Sequence, residues 1–167
     1  MYRYVSALIL GLAAVCAQAQ VPVTGVAGAA EQQAMLKSSD PKLAANKKLA
    51  FDFWREVLEG GHLDLADKYL APTYIQHNPN VPTGLAGFKE FFGRFAKPQP
   101  IVPNIKRQVV AIVAEGDLVN MSFVQEYPDP ADSTKKYTTT WFDTFRIQNG
   151  KIVEHWDSAL KNPPRPQ

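Results

Sequence analysis

Cysteine is all but absent: the 167-residue chain has one, Cys16, inside an apolar N-terminal segment. If that segment is cleaved, the mature chain can form no disulfide and offers no thiolate for catalysis. An excess of charge of one sign is missing as well. The formal net charge is +2, too small to attract nucleic acid or an acidic membrane surface, and no basic run carries interleaved aromatics. There are 3 histidines, and none stands at a short-range ligand spacing such as His-x-x-x-His, so no metal is expected. The glycine-containing loops lack the strand–loop–helix setting that phosphate binding needs, which argues against a nucleotide cofactor. No internal repeat is visible.

What is present begins with a targeting pattern. Arg3 gives a short positive start, Val5 to Ala17 is apolar, and Ala17-Gln18-Ala19 is a small-x-small cleavage site. The apolar run is short for a membrane span. Val15 precedes Cys16 where a lipoprotein signal would carry a small residue, so a cleaved signal peptide is favoured. The expectation is an exported protein, periplasmic or secreted, with no membrane attachment after cleavage. Residues 1–19 are then the signal peptide, 20–41 a flexible leader, 42–162 one domain and 163–167 a disordered, proline-rich tail.

Within the domain, Asp40-Pro41 reads as a helix start, and Leu43, Ala50, Phe51, Trp54, Val57 and Leu58 follow at helical spacing until Gly60-Gly61. A short helix is expected over Leu63 to Leu70, an extended piece over Tyr74 to Pro79, and a third helix from Leu85 through Phe95. The pattern then changes to strands over Ile105–Ala114, Leu118–Tyr127, Tyr137–Gln148 and Lys151–Asp157. Helices first and a meander after indicate an α+β domain, three N-terminal helices covering a curved antiparallel sheet of about four long strands plus a short one.

The last two strands hold the ionisable residues. A Gln148-Asn149 turn with Gly150 as a left-handed bulge pairs Asp143 with His155 and Trp141 with Asp157, and is the preferred register. A two-residue Asn149-Gly150 loop pairs Gln148 with Lys151 instead. In either, His155 and Asp157 share a face because strand side chains alternate, about 6.5 Å apart along the strand. In the preferred register Trp141, Asp143, Phe145 and Val153 join them, while Thr144, Arg146, Glu154 and Trp156 point the other way.

Three stretches then resemble a known family: Tyr74-Ile-Gln-His77-Asn78-Pro79, Gly84-x-x-Gly87-Phe88-x-x-Phe91-Phe92, and Asp143-x-Phe-Arg146-x-x-Asn-Gly-Lys-Ile-Val-Glu-His155-Trp-Asp157. With the element order, they are similar to the SnoaL-like polyketide cyclases of the nuclear-transport-factor-two-like superfamily. The resemblance implies a cone-shaped fold over about residues 43–162, intramolecular aldol chemistry without cofactor or metal, an acid/base role for Asp157, and a pocket histidine at His155. Where the cyclases can carry a histidine on the neighbouring strand, this chain has Asp143. A homodimer formed through the outer face of the sheet, near Trp156, is also implied by resemblance.

Aldol and isomerase reactions start by removing a proton from carbon beside a carbonyl, which a carboxylate among apolar groups can do. Asp157 is the expected base, His155 the donor or shuttle, and Asp143 the group orienting His155. His77, Asn78, Tyr74, Trp54, Phe88, Phe92, Trp141 and Phe145 are expected to line the pocket of a hydrophobic, carbonyl-containing small molecule. Each has a structural alternative: Asp157 ending its strand on loop amides, His155 as a core histidine paired with Asp143, and the aromatics as packing. Two function classes follow, a cofactor-independent lyase or isomerase and a non-catalytic module binding a small molecule or partner.

Overall fold

Asp40 Oδ1 accepts the backbone N–H of Lys42 at 2.7 Å and of Leu43 at 3.4 Å, with Pro41 in the first turn. The two orphan donors at this helix start are thereby satisfied. Helix α2 (Pro41–Phe53) begins there and runs into a π-helical segment, Trp54–Glu59. The wider turn sets Phe53 and Trp54 side by side against the sheet, both buried. Gly60 closes it: a Cβ at this position would stand 2.6 Å from the Glu56 carbonyl oxygen.

The computed structural model describes residues 25–161. The expected signal peptide with Cys16, the first residues of the leader, and the tail at 163–167 lie outside the described residues. The described part of the leader is not featureless. It forms helix α1 (Ala29–Met35). The Gln32 amide explains why: it donates to the Ile105 carbonyl and accepts the Ile105 N–H, both at 3.0 Å, while Ala27 N–H bonds the Val109 carbonyl. A seven-residue helix is marginal alone and is held by this docking.

A 3₁₀ turn (Leu63–Leu65) and helix α3 (Ala66–Tyr69) occupy the place of the expected second helix. The helix ends before Leu70, where strand β1 (Leu70–Gln76) begins. Pro72 is accommodated because β1 is an edge strand. Helix α4 (Leu85–Gly93) follows, then β2 (Val109–Glu115), β3 (Leu118–Pro128), β4 (Lys136–Gln148) and β5 (Lys151–Asp157). Strand β2 starts later than the sequence implied, since 101–108 is irregular. The described residues thus form four α-helices and one five-stranded sheet, ordered β1-β5-β4-β3-β2. All neighbours are antiparallel except β1, which runs parallel to β5. The sheet is curved and does not close, and the helices cover its concave face.

The register of β4 and β5 differs from the preferred expectation. Asn149 and Gly150 have φ of 51° and 70°, the primed two-residue turn, and Gln148 faces Lys151. Ile147 then faces Ile152, but Arg146 faces Glu154, so the extra residue sits at Val153 rather than at Gly150. Beyond it Phe145 faces His155 and Asp143 faces Asp157. A bulge reverses the alternation. Ile152, His155 and Asp157 all turn inward although their spacing is three and then two. Val153 does not join Trp141 and Phe145 on the inner face as expected.

Candidate active site

A cavity of about 360 Å³ opens inside the cone between α2, α4 and the concave face of the sheet. Apolar walls come from Phe53, Trp54, Leu58, Phe88, Phe92 and Trp141, and polar groups from Tyr74, Gln76, Asn78, Asn80, Arg107, Asp143, His155 and Asp157. The volume suits a molecule of a few fused rings.

Asp143 and His155 form its buried polar centre. Asp143 is 4% exposed and His155 7%. Asp143 Oδ1 lies 3.0 Å from His155 Nε2 and accepts the Trp141 indole N–H at 3.2 Å, while Oδ2 accepts the Trp54 indole N–H at 2.7 Å. A carboxyl facing two fixed N–H donors is satisfied as a carboxylate, so the Nε2 facing it carries a proton. The other ring nitrogen, Nδ1, lies 3.0 Å from Gln76 Oε1. That oxygen also accepts the backbone N–H of Asn78 at 2.9 Å, which fixes the amide orientation. Both nitrogens of His155 are thus engaged within the protein, Nε2 with Asp143 and Nδ1 with Gln76. The ring stacks on Phe145, centroids 4.9 Å apart.

Asp157 stands apart from this pair. Its Oδ2 accepts the Asn78 side-chain amide at 2.7 Å and its Oδ1 the Ala159 N–H at 2.9 Å. With one donor on each oxygen and partial exposure, the carboxylate keeps lone pairs open toward the cavity. Tyr74 is its counterpart. Gln76 Nε2 donates to the Tyr74 hydroxyl oxygen at 2.8 Å, and among the described residues the hydroxyl proton has no acceptor. Burial, then the charges of Asp143 and Asp157, push the Tyr74 phenol well above its ordinary range. It stays protonated, a hydrogen-bond donor rather than a base.

Of the expected site residues, Asp143, His155, Asp157, Asn78, Tyr74, Trp54, Phe88, Phe92 and Trp141 line this cavity. Two expectations are corrected. His77 lies on the outer face, because Tyr74 and Gln76 point inward and the next residue in alternation points out. It stacks on Trp156 at 4.6 Å and bonds Glu154 Oε1 at 2.8 Å. Phe145 is fully buried beneath the His155 ring, in a T-shaped contact with Phe53, and supports the wall without lining it. The donor role expected of His155 toward a ligand is corrected as well, since both nitrogens are taken by Gln76 and Asp143. Gln76 and Arg107 were missed. Alternation along β1 from Tyr74 would have flagged Gln76; nothing in the sequence around 101–108 marks Arg107.

Donor atoms of Asp143, His155 and Asp157 lie within 4.8 Å of one another, a spacing that three metal ligands could share. A cation there would have to detach a ring nitrogen of His155 from Asp143 or Gln76 and share Asp143 with two indole N–H groups. The set is better explained by its internal hydrogen bonds.

Several solved structures are similar. A protein described as a polyketide cyclase from Acidithiobacillus ferrooxidans is 22% identical, with a TM-score of 0.50, covering 72% of this chain and 89% of its own. A protein described as a SnoaL-like polyketide cyclase from Jannaschia sp. CCS1 is 16% identical, with a TM-score of 0.50, covering 73% of this chain and 91% of its own. At these identities the likeness is one of fold. No curated protein matches the chain. The family model for the SnoaL-like polyketide cyclases matches residues 48–160, which takes in α4, all five strands and every residue of the cavity, and the chain belongs to that family.

Proposed function

We propose that the cavity carries out acid–base chemistry on a largely apolar small molecule containing a carbonyl, by removing a proton from the adjacent carbon. Ring closure by aldol condensation, isomerisation and dehydration all begin with this step. Asp157 is the base. The observation that carries this reading is the division of labour between two carboxylates: Asp143 is occupied by three donors, while Asp157 keeps lone pairs facing the cavity. Tyr74 supplies the hydrogen bond to the enolate oxygen, its free O–H preorganised by Gln76. His155 holds Asp143 and Gln76 in place and is a positioning residue.

The test is α-deuteration of 1-tetralone, a bicyclic ketone small enough for the cavity, followed by NMR in D₂O. The wild-type chain accelerates exchange, and Asp157→Asn returns it to the buffer rate with the circular dichroism unchanged. Asparagine keeps one acceptor oxygen, so the substitution leaves one of two donors, the Asn78 amide or the Ala159 N–H, unsatisfied, a cost of about 1 kcal/mol that a folded domain tolerates. Exchange retained in Asp157→Asn overturns the assignment.

A second reading, a non-catalytic binding module, is favoured by the structural duty Asp157 performs toward Asn78 and Ala159. Tight binding of aryl ketones without any exchange supports that reading. A homodimer is also part of the proposal. Ile75, Val113 and Phe142 are exposed on the described chain, and light scattering of the mature chain measures its mass.

A further inference from the structure

Arg107 has no place in the mechanism above, yet it lines the same cavity. It is half-buried, and its guanidinium carbon lies 5.3 Å from the Phe123 ring centre and 5.7 Å from those of Trp54 and Trp141. Among the described residues no acceptor hydrogen-bonds the guanidinium and no carboxylate pairs with it. The two carboxylates that act on it electrostatically are otherwise engaged. Asp143 is bonded to His155 and two indoles. Glu59 spends its oxygens on the backbone N–H groups of Lys106 and Arg107, at 2.8 to 3.1 Å. The remaining neighbour is the phenol of Tyr127.

A guanidinium among aromatic rings has surrendered part of its hydration, and cation–π attraction returns only about 0.5–2 kcal/mol of that. Burial pulls the Arg107 group below its usual value, with Asp143 acting in the opposite direction. A planar fork of N–H donors, held by flat rings and open to a cavity, matches a carboxylate in two parallel hydrogen bonds. Asp143 is taken up by His155 and two indoles, so Arg107 is the cation of this wall that no described carboxylate pairs with. We propose that Arg107 determines the specificity of the cavity, and that the ligand carries a carboxylate bound by its guanidinium while the apolar body lies against Trp54 and Trp141. The inference rests on the cavity being the ligand site; it does not require Asp157 to be a base.

The probe is anthracene-2-carboxylate against its methyl ester, by fluorescence titration with the mature chain. The wild type binds the carboxylate at least tenfold more tightly than the ester. Arg107→Met removes that preference and leaves ester affinity within about twofold. Arg107→Lys keeps the charge but not the fork, and retains a smaller preference. If Arg107→Met does not fold, a loss of several-fold in carboxylate affinity in Arg107→Lys, with ester affinity held, serves in its place. Equal affinities in the wild type, no carboxylate binding at all, or a preference that survives Arg107→Met overturns the inference. Failure of the catalytic reading is distinguishable: 1-tetralone exchange then persists in Asp157→Asn, or is absent throughout, while the carboxylate preference stands.

Discussion

His155 Nε2 lies 3.0 Å from Asp143 Oδ1 although the residue facing His155 across the ladder is Phe145. The contact is diagonal, reached over the face of the Phe145 ring. Removing a buried acceptor leaves its donors unsatisfied, at a cost of about 1–3 kcal/mol. Asp143→Asn is therefore expected to lower the urea midpoint by that equivalent. It also turns an amide N–H₂ toward groups that are donors. In the wild type, ¹⁵N NMR of His155 is expected to show a proton on Nε2, the nitrogen that faces Asp143. A ring protonated on Nδ1 alone would contradict the hydrogen-bond assignment.

Tyr74 yields a second expectation. Its phenol and that of Tyr69 are both raised, each chiefly by burial, Tyr69 also by its bond to Glu56. A raised acid contributes stability that is present below its unfolded value, about 10, and lost as pH climbs toward the folded one. Ultraviolet titration of the 6 tyrosines should thus show two that resist ionisation until the chain unfolds in alkali, and Tyr74→Phe should leave one. Under the proposed mechanism, Tyr74→Phe removes the donor to the enolate oxygen and is expected to lower turnover by about 10²–10³.

Much of this was legible in the sequence, and the failures have physical causes. Asp40-Pro41 marked the start of α2 because capping is local chemistry, and Lys151–Asp157 was bounded by a turn signal on one side. The facing set of Trp141, Asp143, His155 and Asp157 was anticipated from alternation, yet through the wrong register. One extra residue was required, and sequence cannot say whether Gly150 or Val153 supplies it. His77 was misplaced by proximity to Asn78; strand parity, extended one residue further along β1, puts it outside. Helix α1 was invisible because its stability lies in Gln32 reaching the distant Ile105 backbone. Arg107 sits in an irregular segment, where no periodicity tells which way a side chain faces.

On the outer face, Glu154 accepts from His77 at 2.8 Å and from Arg146 at 2.9 Å, and Arg146 reaches on to Asp117. These bonds, the one from His77 first, hold the Glu154 carboxyl below the usual carboxylate range. A depressed acid contributes stability that is present above its unfolded value, about 4.3, and is lost as pH falls through the folded one. The melting temperature of Glu154→Gln is therefore expected to lie below the wild type at pH 6 and to converge with it near pH 3. The contribution is modest, as for other exposed pairs, and shrinks in high salt.

The bulge at Val153 has a consequence for how this hairpin tolerates change. On the turn side of it, Ile147 and Ile152 seal the core; on the far side, His155 and Asp157 furnish the cavity. The two halves run out of phase by one residue, so β5 behaves as two short gears on one shaft. Its stabilising teeth and its chemical teeth can be altered separately. A substitution at the Asn149-Gly150 end is felt as stability, whereas a residue gained or lost between Ile152 and Glu154 resets which side chains the cavity receives.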